Sequence, residues 1–169
     1  MDLTTRESWA LIHGLVLGGG FLLAFAGGLA GLYSLKPDLV TEAGLAERTR
    51  RLVAGTTAMA TIAWVTVITG TWVVYPWYRE DTPTAAKSRL LADPNTADWH
   101  EFGMEWKEHI AWIAPMLATA AAFIVLYYRK DLIRNQTARK IAMGLFIAAF
   151  AVAAIAGILG ALITKSASV

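Results

Sequence analysis

The run Ile141–Thr164 reads IAMGLFIAAFAVAAIAGILGALIT, 24 residues without one charged side chain. A helix needs roughly 20 apolar residues to cross the hydrocarbon core of a bilayer, so this run is long enough on its own. It is apolar on every face rather than striped, which a water-exposed helix of that length rarely is. Three more such gaps precede it. Charges are absent from Ser8 to Leu35 (28 residues), from Leu52 to Tyr78 (27) and from Ile110 to Tyr128 (19). Lipid offers no partners for backbone N–H and C=O groups, so each gap is expected to be helical. The predicted fold is all-α, a four-transmembrane-helix up-down bundle forming one integral membrane domain. Its helices cover about 8–35, 51–77, 106–128 and 140–164, with an outer loop at about 78–105.

The composition agrees. Of 169 residues, 56% are hydrophobic and 17% charged, with a mean hydropathy of +0.48. Such a chain is not disordered. Its lack of cysteine excludes a disulfide scaffold, a Cys-ligated zinc or iron–sulfur site, a covalent c-type haem and a Cys nucleophile. No phosphate loop, dinucleotide fingerprint or nucleophile elbow occurs. The first span is too long for the apolar core of a cleaved signal peptide, and Asp2 and Glu7 offset Arg6 before it.

Loop charge gives an orientation. One side holds Lys36, Arg48, Arg50, Arg51, Arg129, Lys130, Arg134, Arg139 and Lys140, against four acids. The other side, with both termini and the long loop, holds six basic residues against nine acids. Lys/Arg-rich loops stay cytoplasmic, so both termini are expected on the outer side (N-out/C-out) of a bacterial-type inner or plasma membrane. Six of seven tryptophans also fall near that outer side, as an aromatic belt would place them.

The histidines carry the chemistry. His13 follows Trp9 by four residues just inside the first helix, and His109 follows Trp106 by three just inside the third. Helices one and three run in the same direction in an up-down bundle and are diagonal, so the two imidazoles are expected at one depth. Cofactors in such bundles sit between facing helices. One haem b, its iron held by His13 and His109, suits that arrangement. Gly20 lies on a small-residue strip that continues from His13 and admits a macrocycle edge, while Met116 belongs to the apolar wall running on from His109. Arg79 is placed to neutralise a propionate, or simply to anchor the second helix in the headgroups. Taken singly, either His is more simply a headgroup-level side chain or an interhelical hydrogen-bonding group.

His100 precedes Glu101 and Glu105, and those two acids are spaced by four with His109. Imidazole and carboxylate suit Zn, Cu or Fe, so His100, Glu101 and Glu105 form a second candidate metal site. The plainer expectation makes Glu101, Glu105 and Glu108 an acidic, solvated rim that tunes a potential, relays protons or attracts a basic partner. Mid-span polar groups are limited to residues such as Thr61, Thr66 and Thr119, which argues against an ion-coupled transporter.

With His13 and His109 in matching helices and glycine between, the chain resembles a four-helix membrane-bound b-type cytochrome across roughly Trp9 to Thr164. The resemblance is architectural. It implies a membrane electron-transfer subunit with one haem near the outer face, exchanging electrons with a quinol or a periplasmic redox partner. Two haems are common in such cytochromes, but no His exists on the cytoplasmic half here. Membrane lipid, other subunits of a redox complex and a second copy of the chain are the expected partners, with no nucleic acid. A haem-free accessory or anchor subunit, and a His/Glu metal-binding membrane protein, are the other readings.

Overall fold

The computed structural model describes residues 2–167. Among them the chain is helical, with no strand. Four helices are long and apolar enough to cross a membrane: α1 (Thr5–Ser34), α2 (Glu42–Tyr78), α4 (Trp99–Ile133) and α5 (Gln136–Ser166). A short helix, α3 (Ala86–Ala92), lies in the connection between α2 and α4. The protein is therefore an all-helical chain with four candidate membrane spans.

Each long helix starts before its charge-free gap does. Side-chain caps explain three of the four extensions. The Thr4 hydroxyl accepts from the Glu7 N–H, and the Glu7 carboxylate accepts from the Thr4 N–H at 2.8 Å, a reciprocal capping box. Thr41 caps α2 by accepting from the Gly44 N–H at 3.2 Å, and Asn135 caps α5 by accepting from the Ala138 N–H at 3.0 Å. Absent charge marks where lipid is tolerated, whereas the caps mark where the backbone turns helical.

Helix α1 packs on α2 and α5, and α4 packs on the same two. Small residues line these contacts. Ala118, Ala121 and Ala122 of α4 are buried, as are Ala142 and Ala149 of α5. Apolar burial cannot drive association inside lipid, so close backbone approach and van der Waals contact carry it. The tightest example is Phe146, fully buried against Gly28: a Cβ at Gly28 would lie 2.5 Å from Phe146 Cζ. Beside it Phe25 stacks on Phe150 with centroids 4.1 Å apart.

Two ends can be told apart. At one, Tyr78, Leu90, Met104, Ile163 and Ala167 share an apolar cluster, with Leu90 of α3 wholly buried. At the other, the buried Arg139 guanidinium donates to the carbonyls of Leu35, Leu132 and Ile133 and ties three segments together. These are called the Tyr78 end and the Leu35 end below.

Candidate functional site at the Tyr78 end

Three π-type turns occur in the long helices, at Ile12–Leu17 within α1, at Gly70–Val74 within α2 and at Trp99–Met104 where α4 begins. Such turns are rare and concentrate at functional sites. The first holds His13, the second begins with the glycine His13 rests on, and the third holds His100. Helix α4 is broken again at Trp112, three residues before Pro115, whose missing N–H weakens the preceding turn.

His13 is half-buried against α2. Its Nδ1 lies 3.2 Å from the Thr69 hydroxyl, and its ring covers Gly70. His109 is exposed, and its Nδ1 donates to the Glu105 carbonyl at 2.6 Å. No hydrogen bond, ring contact or shared partner joins the two imidazoles among the described residues. Gly20 faces Ile62 of α2, whose Cδ1 lies 3.4 Å from the position of an added Cβ, and Met116 is exposed. The Arg79 guanidinium donates to the Tyr75 hydroxyl at 2.6 Å and lies over the Tyr75 ring.

A haem between α1 and α4 fits this packing poorly. The His13 ring is turned onto α2, and His109 faces away from the interior. His100, Glu101 and Glu105 do not gather either. His100 Nδ1 is 2.8 Å from the Tyr78 hydroxyl, Glu101 and Glu105 are exposed, and no three His, Asp or Glu side chains converge on a metal position among the described residues.

What the structure does assemble is a string of polar groups centred on Lys107 and Glu108. The Lys107 stem lies over Gly160 of α5, with Cε 2.9 Å from where a Cβ would stand. Among the described residues no carboxylate pairs with its ammonium within 4.0 Å. His13 lies within its electrostatic reach. Glu108 faces the Tyr75 hydroxyl, yet one carboxylate oxygen, Oε1, is buried with no hydrogen-bond partner. From Glu108 the string continues through Tyr75 to Arg79, which is exposed. Tyr78 and His100 flank it.

Sequence reasoning missed Lys107 and Glu108 as interior groups and assigned Glu108 to a solvated rim. Gly160 was the available signal, since a glycine in a membrane helix leaves room for a long side chain opposite. Comparison with family models, curated proteins and solved structures finds no match for the chain.

Proposed function

We propose that the chain is an integral-membrane subunit that exchanges protons with the outer aqueous phase, in the service of electron transfer within a redox complex. In this reading the four spans form an up-down bundle in a bacterial-type inner or plasma membrane. The Tyr78 end is the outer one, because the acid-rich loop and both termini belong to it while the Lys/Arg-rich loops belong to the Leu35 end. Quinol or a periplasmic redox protein supplies or takes the electrons, and neighbouring subunits of the complex carry them onward.

The observation that carries the reading is Glu108. An interior carboxylate oxygen without a donor is costly, and in a membrane protein such groups mark ion or proton pathways. Tyr75 and Arg79 connect it to the surface, while Lys107 and His13 extend the polar string inward. A water entering beside Oε1 completes the hydrogen bonding and joins the interior to the outside. The test is a pH-jump infrared difference spectrum of the purified protein in nanodiscs. Carboxyl bands that disappear in Glu108→Gln are expected. Spectra identical in the native protein and the variant would overturn the proposal.

One observation keeps the haem b reading as a second proposal. His109 Nδ1 is fixed by the Glu105 carbonyl, which leaves Nε2 as the free nitrogen an axial ligand offers, on an exposed face. A haem held there is met outside the bundle, against lipid or a neighbouring subunit. A bound haem would supply a one-electron carrier. An optical spectrum after haem-sufficient expression decides it: reduced-state bands lost in His109→Ala support haem ligation, and a colourless protein removes it.

A further inference from the structure

We propose that the Leu35 end carries a binding site for an anionic phospholipid headgroup, in a groove between α2 and the end of α4. The site rests on membrane embedding alone and is independent of the proton reading. The groove is open to its surroundings, offers about 560 Å³, and is lined by Arg50 on one side and by Tyr127, Tyr128, Arg129 and Lys130 on the other. Asp131 is the one acid in its lining, so three cations face one anion.

The cations are held in different ways. Arg50 shares Glu47 with Arg51 in exposed ion pairs, at 2.8 Å and 2.7 Å. Arg129 spends its Nε on the Leu126 carbonyl at 3.2 Å, which leaves its two terminal nitrogens without a partner among the described residues. Lys130 makes no hydrogen bond or ion pair among them. Exposed pairs of this kind are weak and exchange readily for another anion.

The backbone supplies the second argument. Arg129 has φ 44° and ψ −118°, and it is the one non-glycine residue with positive φ among the described residues. That conformation belongs to glycine at the first central position of a type II′ turn. An arginine there is strained, and residues held in such conformations cluster at ligand clamps and similar sites. Here it ends the α-helix and puts a guanidinium at the groove.

The occupant follows from the setting. Tyr127 is 72% exposed and Phe123, one turn earlier on the apolar helix, is 66% exposed, so the groove opens beside a lipid-facing surface. Basic pockets between membrane helices at the Lys/Arg-rich face take phosphate headgroups of acidic lipids. The acyl chains then run down α4 along Phe123 while the phosphate meets Arg129, Lys130 and Arg50.

Native mass spectrometry of the delipidated protein in a neutral detergent tests this, with phosphatidylglycerol and phosphatidylcholine added in parallel. Preferential retention of phosphatidylglycerol is expected, weakened about fivefold by each of Arg50→Ala and Lys130→Ala. Arg129→Gly is expected to weaken it similarly while raising the melting temperature, so loss of binding there is not loss of fold. Equal retention of the two lipids, or retention unchanged in all three variants, overturns the proposal. Inorganic phosphate that displaces the lipid at equal concentration also overturns it, and makes the groove a soluble-anion site.

Discussion

The imidazole of His13 rests on the bare backbone of Gly70: a Cβ placed there would lie 2.9 Å from His13 Cε1. Two helices meet at this point through a side chain and the absence of one. Gly70→Ala is expected to push the ring off α2 and break its bond to Thr69, costing about 1–3 kcal/mol despite the better helix propensity of alanine. Thermal melting in detergent reads the loss. His13→Ala in the same chain makes room for the new methyl, so the double variant should lose less than the sum of the two singles. Strict additivity would show that the pair is not in contact.

Phe146 and Gly28 form the same kind of joint between α5 and α1. Truncating Phe146 to Ala leaves a void under Phe25, and about 3–5 kcal/mol of stability should go with it. Gly28→Ala attacks the joint from the other side by driving a methyl into the ring. Unfolding in a denaturing detergent series compares both with the native chain. A melting profile unchanged in Phe146→Ala would contradict the packing described.

Arg139 is the strongest polar tie at the Leu35 end. Its guanidinium serves three carbonyls at helix and turn ends that would otherwise be buried unpaired. Arg139→Met is expected to cost about 3 kcal/mol, because hydrogen bonds to a charged group are worth more than neutral ones and the abandoned carbonyls stay buried. Arg139→Lys should recover part of the loss, since all three bonds come from one nitrogen, Nη1, and an ammonium also carries three donors. Faster proteolysis between Leu35 and Thr41 in both variants is the local readout.

Trp64 donates its indole N–H to the Thr119 hydroxyl at 3.0 Å, linking α2 to α4 between the two ends. Thr119→Val keeps the shape and removes the acceptor. The expected loss is about 0.6 kcal/mol, typical of interhelical hydrogen bonds in membranes. A blue shift of Trp64 emission, read in a variant lacking the other tryptophans, would accompany it.

The four spans were legible because charge is excluded from lipid more strictly than any side-chain preference is obeyed. Ile141–Thr164 could hardly be read otherwise. The capping residues Thr4, Thr41 and Asn135 were also present in the sequence, but a reading anchored on missing charge placed the helix starts several residues late. The site was less legible. Lys107 and Glu108 stand just outside the charge-free gap that begins at Ile110, so the spacing alone makes Glu108 a rim group and Lys107 one more basic residue of the outer side. The interior position of Lys107 depends on Gly160, more than fifty residues away. Arg139 was grouped with the cations of the Lys/Arg-rich loop, although it is buried and its neighbour Lys140 is exposed. Periodicity separates the two only once the helix phase is known. His13 and His109 shared an expected depth, but depth does not fix the direction in which a ring points.

The three π-type turns have a genetic consequence. An added or deleted residue normally turns everything beyond it by about 100°, and a membrane helix would then show its packing face to lipid. A π-type turn absorbs that residue locally. Lineages of this protein can therefore lose a single codon within Ile12–Leu17, Gly70–Val74 or Trp99–Met104, reshaping the Tyr78 end while Phe146, Gly28 and Ala121 keep their places. Length variation in its descendants should collect at that end of the spans, and the Leu35 end should keep a constant count.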